Sequence, residues 1–306
     1  MAGAIRRCMK KLLANGEQFD LIDGHYFFPD GVAIAKVAEE FRLPFTCTAR
    51  GTDINLIPSL DKPRKMIKQV FKQAAHMMTV CQALKDEMQA LGAPNDDITV
   101  LRNGIDLERF PLADAQQQQS IKNSLNLNTK VILSVGWLIE RKGHHMIIDA
   151  LQRVQNATLL IAGDGPDFVK LDKQIKRLGL ANKVKLLGAL EQKELSRYYQ
   201  AADMLVLASS REGWANVLLE SMASGTPVVA TKVWGSPEVV TCDAAGVLVE
   251  RDADSIAGGI NLLLEKSISR TLTRKHAEKF GWDSTSTGQY TIFKRIISGK
   301  KNRLLN

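Results

Sequence analysis

Short apolar runs alternate with longer stretches of helical periodicity along almost the whole chain. Each run has the length of a strand that is buried on both faces, as strands of a parallel sheet are. The alternation therefore predicts an α/β protein built from doubly wound parallel sheets. The clearest runs are Asp20-Leu-Ile-Asp23, Pro44-Phe-Thr-Cys-Thr48, Val131-Ile-Leu-Ser-Val135, Thr158-Leu-Leu-Ile-Ala162, Val184-Lys-Leu-Leu187, Met204-Leu-Val-Leu207 and Pro227-Val-Val-Ala230.

A polar segment interrupts this alternation between Pro111 and Asn128, with four glutamines at positions 116–119. Its low apolar content favours a linker between two domains, while a long helix on the surface of one domain stays open as an alternative. The linker interpretation predicts a first domain over residues 1–110, a linker over 111–127 and a second domain over 128–273. Helices are predicted over residues 274–306, and whether they pack back on the first domain stays open.

Charge and cysteine usage narrow the class of protein. The 306 residues include 41 Lys and Arg against 33 Asp and Glu, so the formal charge of +8 indicates polyanionic partners without choosing among them. The scattered Cys8, Cys47, Cys81 and Cys242 form no zinc or redox motif and favour free thiols in a reducing compartment. No apolar run approaches the roughly 18 residues of a membrane span. The sequence therefore predicts a cytoplasmic protein, with peripheral contact at the inner face of the membrane left open.

The segment from Ser209 to Glu220 (Ser-Ser-Arg-Glu-Gly-Trp-Ala-Asn-Val-Leu-Leu-Glu) combines a strand end, a turn and a helix start. The turn at Gly213 leaves backbone N–H groups of residues 214–218 unpaired, which with the helix dipole favours an anion site. Glu220 lies two turns into the helix, where a carboxylate can accept two hydrogen bonds from a vicinal diol such as ribose. The spacing alone is equally compatible with an ordinary helix that carries surface glutamates.

Together with its continuation to Ala230, this segment resembles the E-x7-E region of the family 4 retaining glycosyltransferases of GT-B fold. Three further segments resemble motifs of that family in the same order: the strand-loop from Val135 to Gly143, the turn from Ile161 to Pro166, and the loop Gly235-Ser-Pro-Glu238-Val. The resemblance implies two Rossmann-like domains facing a cleft. It also implies transfer from a nucleoside diphosphate sugar with retention of configuration and without a bound metal.

The resemblance also implies residue roles. Glu220 would bind the ribose, Glu212 would hold a hydroxyl of the donor sugar, and Lys142 would neutralise the diphosphate. The implied catalytic set is Lys142, Glu212 and Arg50. The implied donor-binding set is Gly136, Trp137, Lys142, Gly163, Asp164, Leu190, Glu212, Gly213, Trp214, Ala215, Asn216, Val217 and Glu220.

One position departs from the family pattern. Trp137 stands where relatives carry an Arg that assists the lysine on the leaving diphosphate, so we interpret it as the loss of one phosphate contact. A packing residue and a stacking surface for sugar or base are both open as roles for the indole. Arg141 is a neighbour in sequence, but we expect it to point to a different face.

In the first domain, Arg50 precedes Gly51, Thr52 and Asp53 where many relatives carry His-Gly-x-Asp, with the His facing the donor sugar. An Arg cannot shuttle a proton at physiological pH. Binding of an acceptor phosphate, binding of a sugar hydroxyl and structural pairing with Asp53 stay open for Arg50. His25 is interpreted as a structural residue, with catalysis as the less favoured alternative.

The segment from Asp61 to Lys72 is basic on one face and apolar on the other. A solvated face over a core explains this pattern, and contact with anionic lipid is the alternative, since many relatives build membrane-linked glycans. Relatives also begin with further βα units, so the first domain is predicted to be incomplete by about 80–100 residues, a size within the usual domain range.

The predicted activity is transfer of a sugar from a UDP- or GDP-sugar to a glycan or lipid-linked acceptor, with no cofactor, no metal and no nucleic-acid partner. Two alternatives stay open. The first is a sugar-nucleotide-binding module that is impaired by the shortened first domain and by Trp137. The second is a GT-B epimerase or hydrolase of nucleotide sugars.

Overall fold

The computed structural model describes the backbone of residues 1–304 and the side chains of residues 1–299. The strands in chain order are β1 Ile22–His25, β2 Phe45–Ala49, β3 His76–Thr79, β4 Ile98–Val100, β5 Lys130–Val135, β6 Ala157–Ala162, β7 Val184–Gly188, β8 Met204–Leu207, β9 Val228–Thr231 and β10 Gly246–Val249. The helices are α1 Ala2–Ala14, α2 Val32–Phe41, α3 Thr52–Asn55, α4 Asp61–Gln73, α5 Gln82–Ala90, α6 Ala115–Ser124, α7 His144–Ala150, α8 Phe168–Arg177, α9 Gln192–Ala201, α10 Asn216–Ala223, α11 Ser236–Val239, α12 Ala253–Glu265, α13 Arg270–Ala277 and α14 Trp282–Leu304.

Two compact units divide the chain. The first comprises Met1–Asn103 together with the last helix, and the second is Gly104–Gly281. Each unit holds one parallel sheet, which confirms the predicted α/β class. Within the described residues, none of the helices has both the length and the apolar character needed to cross a bilayer.

The sheet of the first unit has four parallel strands in the order β1-β2-β3-β4. Helix α14 belongs to this unit, because Gln289 Nε2 donates to Asp23 Oδ2 at 2.9 Å and an Arg295 nitrogen lies 3.1 Å from His76 Nδ1. Helix α13 belongs to the second unit. The segment predicted as C-terminal helices from residue 274 is thus divided between the two units near Gly281.

The sheet of the second unit has six parallel strands in the order β10-β9-β8-β5-β6-β7. Numbered from β5, this is the 3-2-1-4-5-6 order of a Rossmann sheet, and the strand order reverses between β5 and β8. Strands β8 and β9 are buried throughout, and so is β5 after Lys130. Burial on both faces explains why these strands are continuous apolar runs in the sequence.

The polar segment interpreted as a linker folds differently, as helix α6 on the surface of the second unit. Asp114 and Gln117 form a capping box at its start, and Gln118 Nε2 donates to the Ala202 carbonyl at 2.9 Å. Lys122 Nζ lies 2.6 Å from Asp203 Oδ2. The glutamines therefore reflect helix capping and attachment to the end of α9, which is the alternative that the sequence left open.

Candidate functional site

The loops that follow β5 and β8 meet at the point where the strand order reverses. Gly143 directly precedes α7 with φ of 71°, and a Cβ there would lie 2.1 Å from the Ala208 carbonyl oxygen. Only glycine permits this approach. The Ser210 N–H donates to the Arg141 carbonyl at 2.8 Å, which fixes the two loops to each other. Ligands of open α/β sheets bind at this crevice.

Two of the predicted catalytic residues form a partly buried ion pair at this point. Lys142 Nζ lies 2.6 Å from Glu212 Oε1, with side-chain exposures of 14% and 8%. The aliphatic part of Lys142 runs over Gly136, where a Cβ would lie 3.5 Å from its Cδ and Cε. The structure thus brings together residues that are 70 positions apart in the sequence and holds the lysine in one direction.

Arg141 lies on the same side as Lys142, so the expectation that it points to a different face is wrong. Its guanidinium donates to the Arg211 carbonyl at 2.7 Å and lies 3.7 Å from Glu212 Oε2. Residues 140–142 form a short 3₁₀ turn. One oxygen of Glu212 lies near Lys142, and the other lies near Arg141. Arg141 is therefore a second cation beside Lys142, and it already has protein partners.

Trp137 stands on the surface of this edge with 56% of its area exposed. The interpretation as a packing residue is therefore wrong, and a stacking surface is the role that the exposure permits. Its neighbour Leu138 is fully buried and donates its N–H to the Asp164 carbonyl at 2.7 Å. That bond fixes the backbone beside Trp137 and leaves the indole free to meet a ligand.

The predicted donor residues after β6 and β7 lie at the same edge of the sheet. A Cβ on Gly163 would lie 2.0 Å from the Gly136 carbonyl oxygen, so the turn after β6 requires glycine. The Gly163 N–H donates to Gly188 O at 2.8 Å, two residues before the half-buried Leu190. Asp164 is exposed, and its carboxylate accepts the Gly165 N–H at 2.7 Å, so it closes its own turn.

The start of α10 differs in detail from the predicted cluster of unpaired N–H groups. The Asn216 N–H donates to Trp214 O at 3.1 Å, and the Leu218 N–H donates to Ala215 O at 3.0 Å. Two of the five expected groups therefore have partners within the turn.

Trp214 is buried, and its indole packs on Phe280 with centroids 6.0 Å apart. Little of the Trp214 side chain is therefore accessible. Other members of the predicted set, Gly213, Asn216 and Val217, are at least partly exposed.

Glu220 lies on α10, largely buried, and has a partner that the motif did not indicate. The Tyr199 hydroxyl donates to Glu220 Oε2 at 2.8 Å. Burial raises the pKa of the Glu220 carboxyl, and the hydrogen bond from Tyr199 opposes this rise. Because Tyr199 lies on α9, no sequence spacing links the two residues.

Three further buried polar side chains lie at this edge. Burial, and then the charge of Lys142, lowers the pKa of His144 to about 4, so the imidazole is neutral near pH 7. Its Nδ1 lies 3.0 Å from Ser134 Oγ. Ser209 Oγ and Ser236 Oγ, after β8 and β9, are buried without a hydrogen-bond partner among the described residues. Both hydroxyls therefore have donor and acceptor capacity to spare at the carboxyl ends of β8 and β9.

In the first unit, the side chain of Arg50 does not pair with Asp53, so the structural pairing considered from the sequence is wrong. Asp53 is buried and accepts the backbone N–H groups of Arg50 at 3.1 Å and Phe27 at 2.9 Å. The Arg50 guanidinium instead donates to Asn103 Oδ1 at 2.8 Å and lies 2.9 Å from His25 Nδ1. Asp53 thus shapes the loop after β2, and Arg50 is held by uncharged groups.

His25 ends β1 beside this arginine. Burial, and then the charge of Arg50, lowers its pKa, while Asp23 opposes the shift. Its Nε2 lies 3.6 Å from Asp23 Oδ2, and its Nδ1 accepts from Arg50. A neutral imidazole that orients Arg50 agrees with the structural interpretation of His25.

Two known protein families match this chain. Residues 115–280 match the family model for glycosyl transferases group 1, and residues 1–109 match the model for Glycosyltransferase Family 4. The chain belongs to the group 1 glycosyltransferases. Family membership indicates a transferase enzyme, and members of this family use nucleotide sugars.

Two curated relatives and one solved structure illustrate the similarity. The glycosyltransferase is 27% identical over 301 residues to N-acetyl-alpha-D-glucosaminyl L-malate synthase of Bacillus anthracis, covering 95% of this chain and 78% of the relative. It is 27% identical to D-inositol 3-phosphate glycosyltransferase of Jonesia denitrificans, covering 90% and 72%. HepE of Anabaena, solved in complex with UDP, superposes with a TM-score of 0.80 at 24% identity, covering 96% and 81%. This likeness confirms the GT-B fold.

Proposed function

We propose that this glycosyltransferase transfers a sugar from a UDP- or GDP-sugar to a glycan or lipid-linked acceptor with retention of configuration. The observation that carries the proposal is the meeting of Lys142, Glu212 and the α10 start where the strand order of the second sheet reverses. Lys142 and the helix start suit a diphosphate, Glu212 suits a hydroxyl of the sugar, and Glu220, deeper in the helix, suits a ribose. The UDP complex of HepE supports the choice of donor.

In the proposed reaction, Lys142 stabilises the negative charge that develops on the leaving diphosphate. Glu212 both orients this lysine and accepts a hydroxyl of the donor sugar. The leaving phosphate oxygen takes the proton of the acceptor on the same face, so the protein supplies orientation rather than a covalent nucleophile. Retention is tested by the anomeric configuration of the product, measured by NMR, and an inverted product would exclude this route.

We further propose that neutralisation by side chains and the helix start replaces a metal. Among the described residues, no group of three His, Cys, Asp or Glu side chains is placed to hold an ion. Unchanged turnover in excess EDTA is the expected result, and loss of turnover that Mg²⁺ or Mn²⁺ restores would refute this part.

The first experiment is a thermal-shift screen with UDP-, GDP- and ADP-sugars, followed by release of the nucleoside diphosphate with and without acceptors. Stabilisation by one donor and acceptor-dependent release are expected. Release without any acceptor would favour a hydrolase, and binding without release would favour the sugar-nucleotide-binding module. If no nucleotide stabilises the protein, the donor site is wrong.

Glu220→Ala should weaken nucleoside diphosphate binding by about ten- to a hundredfold, because a hydrogen bond to a charged group contributes about 1.5–3 kcal/mol. Isothermal calorimetry measures the affinity. Glu220→Gln keeps an acceptor for the buried Tyr199 hydroxyl and should lose less. The exposed Glu265→Ala is the matched control. Equal affinity of Glu220→Ala and the unsubstituted protein would exclude the ribose role.

We propose that Arg50 binds an anionic group of the acceptor. The hydrogen bonds of its guanidinium go to an imidazole and an amide, while Asp23 and Asp53 act on it only at longer range, so the guanidinium can still bond directly to a carboxylate or phosphate. The names of two relatives, an L-malate synthase and a D-inositol 3-phosphate glycosyltransferase, support an anionic acceptor. Arg50→Met should raise the KM for the acceptor about ten- to a hundredfold, given about 1.5–3 kcal/mol for such a bond.

The measurement compares carboxylated, phosphorylated and neutral acceptors of equal size. The exposed Arg7→Met on α1 is the control for loss of one positive charge. Nucleotide affinity should stay the same in Arg50→Met. An equal rise in KM for neutral acceptors would show that Arg50 does not recognise the negative charge of the acceptor.

We propose that the exposed lysines of α4 contact an anionic membrane surface that presents a lipid-linked acceptor. The opposite side of the helix is buried, and two exposed leucines precede it. Sedimentation with vesicles should show binding that requires anionic lipid and weakens with salt, because each surface lysine contributes about 1 kcal/mol. Lys65→Glu with Lys68→Glu should abolish it, and equal binding to neutral vesicles would refute it. The lysines are Lys62, Lys65, Lys68 and Lys72, and the leucines are Leu56 and Leu60.

A further inference from the structure

A buried tyrosine touches the carboxylate to which the proposed function assigns the ribose. Tyr199 lies on α9 with no exposed surface, and its hydroxyl donates to Glu220 Oε2 at 2.8 Å. Its ring packs edge-on against Phe110, with centroids 5.9 Å apart. Close packing around the ring favours one position of the phenol oxygen, beside the carboxylate.

The backbone around Tyr199 is tied to the turn that ends α10, the helix that carries Glu220. Thr226 Oγ1 donates to the Tyr199 carbonyl at 2.7 Å. One Arg270 nitrogen donates to Gln200 O at 3.0 Å and to Ser224 O at 2.7 Å. The tyrosine and the glutamate therefore sit on two helices whose ends are fixed to each other, so the distance between hydroxyl and carboxylate is built into the scaffold.

The hydrogen bond makes the two oxygens of Glu220 unequal. Tyr199 uses one acceptor site of Oε2, so Oε1 is the oxygen better placed to accept from ribose hydroxyls. We propose that Tyr199 is a positioning residue of the nucleotide site, which orients Glu220 so that Oε1 faces the ribose of a nucleoside diphosphate. This inference rests on the proposed function of Glu220 and adds the residue that sets its geometry.

The electrostatics agree with this role. Burial and the neighbouring Glu220 raise the pKa of Tyr199 well above its usual value, so the phenol stays a donor at any working pH. The hydrogen bond in turn lowers the pKa of Glu220 against the effect of burial. Without the hydroxyl, Glu220 would take up its proton at a higher pH, and an ionised carboxylate is the stronger acceptor for a diol.

The test is Tyr199→Phe, which removes one oxygen and keeps the ring in its packing. Affinities for UDP and GDP are measured beside those for their 2′,3′-dideoxy analogues, which lack the ribose diol. We expect Tyr199→Phe to weaken binding of the ribonucleotide about tenfold and to leave the dideoxy analogue unchanged. The acid limb of ribonucleotide affinity should move to higher pH, a shift that a merely structural residue would not cause.

Two controls separate orientation from packing. Phe110→Leu loosens the ring contact but keeps the hydroxyl, so it should preserve the discrimination between ribo- and dideoxynucleotide. In a Glu220→Ala background, which lacks the acceptor of the Tyr199 hydroxyl, Tyr199→Phe should have little further effect on affinity, because the two residues act as a unit.

The outcomes also separate this inference from the function on which it rests. If the unsubstituted protein binds ribo- and dideoxynucleotides equally, the ribose role of Glu220 fails and the inference falls with it. If Glu220→Ala loses the discrimination and Tyr199→Phe keeps it with an unchanged pH profile, only the role of Tyr199 is overturned.

Discussion

Replacing Lys142 by Met is expected to lower kcat by about a hundred- to a thousandfold while nucleotide affinity falls far less. Loss of one group aimed at charge that develops in a transition state typically has this effect. The structure directs the lysine in advance, because its stem lies over Gly136 and its ammonium lies 2.6 Å from Glu212. Release of nucleoside diphosphate from the donor that stabilises the protein measures the rate.

Loss of rate must be separated from loss of folding, because the substitution leaves Glu212 as a buried anion. Removing one partner of a buried pair costs about 3–5 kcal/mol, and Arg141, 3.7 Å from the other oxygen, should reduce that penalty. The double variant Lys142→Met with Glu212→Gln should regain stability without regaining turnover. Lys173→Met, at an exposed position of α8, is the surface control. If Lys142→Met kept its full rate, the diphosphate role would be excluded.

The elements of the second unit could be predicted because burial and topology leave a direct mark on the sequence. Strands such as β5, β8 and β9 are buried on both faces and are therefore continuous apolar runs. The motif residues follow these strands, and the carboxyl ends of parallel strands share one edge. Their meeting at the reversal between β5 and β8 thus follows from the strand order.

The contacts that the sequence did not reveal join segments without a fixed spacing. Tyr199 and Glu220 lie on different helices, and only tertiary packing brings the hydroxyl to the carboxylate. Arg270 resembles any basic residue of a surface helix, yet it donates to four backbone carbonyls, and burial lowers its pKa to about 10. The glutamines before β5 suggested a linker because composition does not distinguish a capped surface helix from a flexible segment.

The proposed diphosphate site has no cation without a protein partner in its 3₁₀ turn, and this affects what a basic residue at the position of Trp137 would do. Lys142 is paired with Glu212, and Arg141 donates to the Arg211 carbonyl, so both cations of the turn already have protein partners. Trp137 is 56% exposed directly after Gly136, where a longer basic side chain has room. A cation at this position would add charge stabilisation that the ligand alone would use.

Trp137→Arg is therefore expected to raise kcat by up to about a hundredfold, since one such group contributes about a hundredfold or more to a developing oxyanion. Trp137→Lys should give a smaller gain, because an ammonium lacks the fork that matches two phosphate oxygens. Trp137→Leu removes the indole without adding charge and should leave kcat nearly unchanged. If Trp137→Arg and Trp137→Leu both lowered kcat/KM for the donor, the indole would be a stacking surface for the sugar or base. That result would show that this site had replaced charge by stacking rather than lost a contact.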